Sequence, residues 1–150
     1  MHLETSPRFS LQQLVDRATA RIRRYAPADA HAAMRAGATL VDIRDSAARD
    51  RDGVVPGALH IPRTVLEWRL APDSAHRSPH VGGVDAELVL LCDHGCSTIL
   101  AGAVLADLGF ARVGDVVGGY VAWKAEGLPT RPGPATRSSP GVLPGAGPPD

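Results

Sequence analysis

Residues 88–110, LVLLCDHGCSTILAGAVLADLGF, decide how this 150-residue chain is read. The run LVLL carries no polar interruption, which is the pattern of a strand covered on both faces in a parallel sheet. Cys92 ends that strand, Gly95 permits a tight turn, and Ser97 or Thr98 is placed to cap the helix that follows. A thiolate at the carboxyl end of such a strand, facing a helix N-terminus, lies among backbone N–H groups that have no helical partner. Those groups stabilise negative charge on sulfur and bind anionic substrate groups. Strand, cysteine loop and helix together form a nucleophile site at the place where open α/β sheets usually bind ligands.

Outward from this segment, strand-like and helix-like runs alternate. ATLVDI (38–43) and ALHI (58–61) precede it with a helical RTVLEWRL (63–70), and RVGDVV (112–117) and a helical GYVAWKAEG (119–127) follow. Alternation of this kind predicts an α/β domain with a mainly parallel central sheet flanked by helices. Before it, Ser10 and Gln13 have capping-box spacing, and Leu11, Leu14, Val15, Ala18 and Ile22 recur at helical spacing, predicting an amphipathic helix over 10–24. That makes residues 1–25 an extra N-terminal helical extension. Its Arg17, Arg21, Arg23 and Arg24 form a solvated face or a surface for a protein partner, with the last three suiting the C-terminal end of the helix dipole. Pro27 starts a short helix stopped by Gly37. Residues 71–86 read as a polar excursion over the surface, and 131–150, rich in Pro and Gly without periodicity, as a disordered tail.

Composition narrows the function. Sixteen basic residues balance sixteen acidic ones, so no global field favours nucleic acid or an anionic membrane. Neither a signal peptide nor a run of about 18 apolar residues occurs, and a cytoplasmic protein is expected. Two cysteines four residues apart do not make a disulfide scaffold and direct attention to thiol chemistry or metal. His76 and His80 have ligand-like spacing ahead of Cys92, His94 and Cys96. The cysteines, however, fall inside one loop and the histidines in the surface excursion, so no metal and no cofactor are expected.

The motifs converge on one family. CDHGCST (92–98) resembles the active-site loop of rhodanese-type single-domain sulfurtransferases, some of which carry Cys-x-His-Gly-x-Ser-Ser. LVDIRD (40–45) resembles the family's Asp-Val-Arg element. GVVPGALHIP (53–62) resembles its Gly-His-Ile-Pro-Gly-Ala segment with Val54 in place of histidine, and VVGGYVAW (116–123) matches Gly-Gly-x-x-x-Trp. Four elements in order are stronger than any one of them, and they delimit a rhodanese-like domain over residues 26–130. The resemblance implies a rhodanese-like fold and a two-step transfer. Cys92 takes the outer sulfur of a donor such as thiosulfate, becomes a persulfide and hands that sulfur to a thiol or cyanide. Asp93, His94, Gly95, Cys96, Ser97 and Thr98 would surround the donor, their amides cradling its anionic end. Many members have arginines where Asp93 and Ser97 stand. A carboxylate beside Cys92 opposes thiolate formation unless it points outward or pairs with Arg44 or Arg63.

Asp42, Arg44 and Arg63 are candidates to support the site, Asp42 and Arg44 by tying a strand end to neighbouring loops. Gly118, Gly119 and Trp123 read as turn and packing residues. Cys96 is a small residue in a tight turn or, alternatively, a thiol that attacks the Cys92 persulfide. A related cysteine-loop phosphatase would need a longer loop ending in arginine. The rival from another class is a catalytically inert rhodanese-like module that binds a protein partner.

Overall fold

The computed structural model describes residues 8–134, 145 and 148–150. In chain order the elements are α1 (Leu11–Thr19), β1 (Arg23–Tyr25), α2 (Pro27–Arg35), β2 (Thr39–Asp42), α3 (Ser46–Asp52), β3 (Leu59–His60), a 3₁₀ turn (Arg63–Val65), α4 (Leu66–Leu70), β4 (Glu87–Leu91), α5 (Ser97–Asp107), β5 (Arg112–Val116) and α6 (Gly119–Ala125). The strands form one parallel sheet in the order β1-β5-β4-β2-β3. This is the helix-flanked parallel α/β architecture that the alternation of runs predicts.

The apolar run of β4 sorts its side chains by the period of two that a strand imposes. Leu88 and Leu90 enter a core with Leu66 and Leu70 of α4 and Ala101 and Leu105 of α5. Val89 and Leu91 enter a second core with Ala30 of α2 and Tyr120 and Trp123 of α6. Burying each such leucine is worth roughly 2 kcal/mol, several times any local propensity difference. Coverage on both faces therefore fixes β4 as the central strand. From β2 the chain steps outward to β3 and from β4 it steps the other way to β5, so the carboxyl ends of β2 and β4 flank a topological switch point.

At the N-terminus the structure corrects the reading. α1 has the expected capping box, with Gln13 N–H donating to Ser10 Oγ at 3.1 Å and Ser10 N–H to Gln13 Oε1 at 2.8 Å, but it ends at Thr19 rather than reaching residue 24. Arg23–Tyr25 instead forms the edge strand β1, pairing with β5 in the register Arg23 to Gly114, Arg24 to Asp115 and Tyr25 to Val116. Tyr25 is 6% exposed in the second core. Burying that ring and completing a ladder outweigh the few tenths of a kcal/mol by which residue types differ in helix propensity. Arg21, Arg23 and Arg24 thus lie beyond the helix end. α1 itself packs on α5 of its own domain, with Arg21 paired to Asp107.

A second difference is α3, which has no apolar period. It is started by Asp45, whose side chain accepts from Ala48 N–H at 2.7 Å. Residues 71–86 cross the surface without helix or strand, although Ser78 and Val81 are buried. Of the tail, residues 135–144 and 146–147 lie outside the described residues. Arg131 exchanges two 2.9 Å backbone hydrogen bonds with Val54, and Asp150 does the same at 2.8 Å with Gly57 N–H and the Ala58 carbonyl. Among the described residues no helix is long and apolar enough to cross a membrane.

Candidate active site

Cys92 follows β4 directly, at the carboxyl end of the sheet beside the switch point. It is 6% exposed. Gly95 N–H donates to its Sγ at 3.1 Å, and Thr98 Oγ1 lies 3.6 Å from the same sulfur. Burial pushes the thiol up. Hydrogen bonds from the Ser97 and Thr98 hydroxyls and from the Thr98 and Gly95 amides outweigh that penalty and hold the thiol below its ordinary value. Thr98 has one hydroxyl proton, and its 2.7 Å contact with Asp115 Oδ2 claims that proton ahead of the sulfur. Ser97 and the two amides therefore supply most of the stabilisation.

A shallow cavity of about 260 Å³ opens over the sulfur, lined by Ile43, Arg44, Cys92, Asp93, Cys96 and Ser97, with His94 at its rim. Cys96, not Ser97 or Thr98, occupies the N-cap of α5, and no side chain caps that helix. His94, Cys96 and Ser97 are exposed, whereas Gly95 and Thr98 are buried behind them. A larger cavity of about 490 Å³ lies at the amino ends of β4 and β5, between Arg23, Glu87 and Arg112, and holds no cysteine. Among the described residues no group of three or more His, Cys, Asp or Glu side chains is placed to hold a metal ion.

The supporting residues divide. Asp42 is fully buried and takes a two-pronged bond from Arg44, Nε at 3.0 Å and Nη2 at 2.8 Å, while Arg44 Nη2 also donates to the Gly53 carbonyl at 2.8 Å. The Arg44 guanidinium lies 4.0 Å over the Tyr120 ring. Arg44 thus both fixes the β2 end and walls the cavity. Arg63 pairs with Glu67 at 2.7 Å and is not among the cavity-lining residues. The ion pairs of Arg44 and Arg63 accordingly go to Asp42 and Glu67, not to Asp93, which is half-buried at the cavity wall.

The Gly118–Gly119 turn does more than pack. Tyr120 N–H donates to the Cys92 carbonyl at 2.7 Å and Val121 N–H to the Asp93 carbonyl at 3.1 Å. That approach requires glycine: Gly119 has φ +61°, and a Cβ there would lie 2.4 Å from the Cys92 oxygen. Gly95, at φ +77°, would place a Cβ 2.8 Å from Gly118 N. Trp123, fully buried, anchors α6 and donates from Nε1 to the Pro129 carbonyl at 2.9 Å.

Two residues that sequence reading did not place at the site stand behind the loop. Asp115 of β5 is fully buried and accepts from Thr98 Oγ1. Arg24 of β1 grips both Asp115 oxygens at 3.0 Å and donates from Nη2 to the Gly95 carbonyl at 2.7 Å. An acidic residue inside the apolar run RVGDVV was the one signal available for this pair.

A parallel sheet with a cysteine at the carboxyl end of its central strand, and a glycine pair closing on that cysteine's loop, defines an α/β domain built around a cysteine loop. Within that class, the family model of the rhodanese-like domain matches residues 26–126, and the chain belongs to that family, whose named relatives here are sulfurtransferases. It is 32% identical over 102 residues to thiosulfate sulfurtransferase GlpE of Stutzerimonas stutzeri, covering 68% of this chain and 84% of that one. To the chloroplastic thiosulfate sulfurtransferase 16 of Arabidopsis thaliana it is 34% identical over 106 residues, covering 68% and 87%. Among solved structures, a protein of unknown function from Rhodopseudomonas palustris, described as a possible tyrosine phosphatase, superposes with a TM-score of 0.75 at 28% identity, over 87% of this chain and 100% of that one. The polysulfide-sulfur transferase homodimer of Wolinella succinogenes superposes with a TM-score of 0.65 at 27% identity, over 79% and 84%.

Proposed function

We propose that this protein moves sulfane sulfur from thiosulfate or a persulfide donor to a thiol or cyanide through a persulfide on Cys92. The observation that carries this reading is the Gly95 N–H donated to Cys92 Sγ at 3.1 Å, at the carboxyl end of the central strand. The Cys92 thiolate attacks the outer sulfur of thiosulfate. The sulfur–sulfur bond of the donor breaks, and sulfite leaves with the bonding pair. The terminal sulfur of the persulfide is then attacked by cyanide, which departs as thiocyanate and returns the thiolate, or by a thiolate acceptor, which departs as a persulfide. No oxidant, reductant, metal or cofactor enters the balance. The loop's N–H groups serve the anionic end of the donor and then the persulfide anion.

The description attached to the R. palustris structure raises phosphatase chemistry for comparison. The residue six positions after Cys92 is Thr98, whose hydroxyl is committed to Asp115, so nothing in the loop clamps phosphate as an arginine would. The inert, partner-binding reading is favoured by Phe9, Leu11 and Leu14, which remain 48%, 70% and 43% exposed around α1. Steady-state transfer from thiosulfate to cyanide separates the readings: the account expects turnover in wild type and none in Cys92→Ser, whereas absence of turnover with any sulfane donor favours the binding module.

A further inference from the structure

The loop lacks the arginines that many related loops carry, yet a guanidinium reaches it from outside. Arg24 and Asp115 are register partners on adjacent parallel strands, 91 residues apart in sequence. Asp115 is fully buried, and Arg24 closes on both its oxygens as a fork, the geometry that gives arginine–carboxylate pairs directional rigidity. The same Nη2 donates to the Gly95 carbonyl at 2.7 Å. Among the described residues all peptide bonds are trans. In a trans peptide the C=O and N–H point in opposite directions. Fixing the Gly95 carbonyl toward β1 therefore aims the Cys96 N–H away from β1 and sets the turn in which Gly95 N–H meets Cys92 Sγ. Asp115 holds Thr98, in the first turn of α5, at the other end of the loop.

We infer that Arg24 is a positioning residue for the Cys92 loop: locked by Asp115, it holds the Gly95 carbonyl and with it the turn that aims Gly95 N–H at the sulfur, and its charge offsets the buried Asp115 carboxylate behind the loop. This inference rests on Cys92 being the reactive thiol. The other groups facing Cys92 are Asp93, His94 and Cys96 of its own loop, Arg44 beyond β2, and Asp115 acting through Thr98, while α6 meets the loop through the Tyr120 and Val121 amides. The Arg24 guanidinium also feels both cysteines, each favouring its charged form, after the larger contributions of the Asp115 bond and burial.

The test is the pH dependence of iodoacetamide alkylation at Cys92, resolved from Cys96 by peptide mass, in wild type, Arg24→Gln, Arg24→Lys and Arg23→Gln. Arg23 stacks on the Tyr25 ring at 4.5 Å and serves as the control. Loss of the charge and of the Gly95 contact in Arg24→Gln is expected to raise the midpoint by about one pH unit and slow alkylation near neutrality about tenfold. Arg24→Lys keeps the charge without the fork and is expected to slow it about two- to threefold. Arg23→Gln should follow wild type. A superimposable Arg24→Gln profile, or equal shifts for Lys and Gln, would overturn the inference. Should the glutamine variant not fold, an Arg24→Lys profile identical to wild type overturns it instead. Alkylation does not depend on sulfur transfer. A shifted profile without turnover would keep the positioning role and remove the proposed function, and turnover with an unshifted profile would do the reverse.

Discussion

Tyr120 donates its backbone N–H to the carbonyl oxygen of Cys92 at 2.7 Å, so the first turn of α6 is fastened to the peptide of the candidate nucleophile itself. The Gly-Gly-x-x-x-Trp motif thereby has a mechanical meaning. The glycines let the backbone of α6 come within hydrogen-bonding distance of the loop, and the buried Trp123 keeps it there.

Gly119→Ala follows directly from that contact. Its Cβ would meet the Cys92 oxygen at 2.4 Å and the Asp93 carbonyl carbon at 2.6 Å, backbone atoms that cannot swing aside. At a positive φ the substitution should cost about 2–3 kcal/mol, read as a lower urea midpoint, together with slower Cys92 alkylation. Wild-type stability in this variant would show that the α6–loop contact is not needed.

His60 predicts a pH dependence of stability. Burial holds its imidazole below its ordinary value of 6.5, against the opposing hydrogen bond to the Arg44 carbonyl at 2.7 Å, which requires the proton on Nε2. Because the folded state takes up the proton less readily than the unfolded one, stability is full above the ordinary histidine range and falls as pH drops below it. Between about pH 7.5 and about pH 5.5 wild type should lose more stability than His60→Gln. Equal losses in the two proteins would contradict this.

How far the sequence carried the structure depends on the reach of each signal. The β4–loop–α5 segment was legible because its apolar run is long and its turn residues are local, and the α/β class followed from alternation alone. β1 was misread because Ile22 stands four residues after Ala18, at helical spacing, whereas the strand is imposed by partners in β5. α3 was missed because SAARDRD carries no apolar period and declares itself only through the Asp45 cap. Cys92 and its loop were named from sequence, but Arg24 and Asp115 were not, since only the β1–β5 register brings them together. Arg63, grouped with the site by sequence, belongs to a local pair with Glu67.

Asp93 and Ser97 should govern donor affinity. Neither Arg44 nor Arg63 neutralises Asp93 by a direct ion pair, so its carboxylate at the cavity wall repels a dianion. Asp93→Ala and Ser97→Arg are each expected to lower the Michaelis constant for thiosulfate several-fold, about 1 kcal/mol of binding, with kcat changed less in Asp93→Ala and reduced in Ser97→Arg, which loses the hydroxyl that holds the Cys92 thiol down. Unchanged constants in both variants would mean that the donor does not lie against these side chains.

The most direct test of the central claim is intact and peptide mass after anaerobic incubation with thiosulfate alone, without acceptor. The account predicts the gain of one sulfur, localised to Cys92, with sulfite released in equal amount, and neither change in Cys92→Ser, whose hydroxyl is a far weaker nucleophile at neutral pH. A sulfur found on Cys96 instead, or no added sulfur while the Cys92 thiol remains alkylatable, would contradict it.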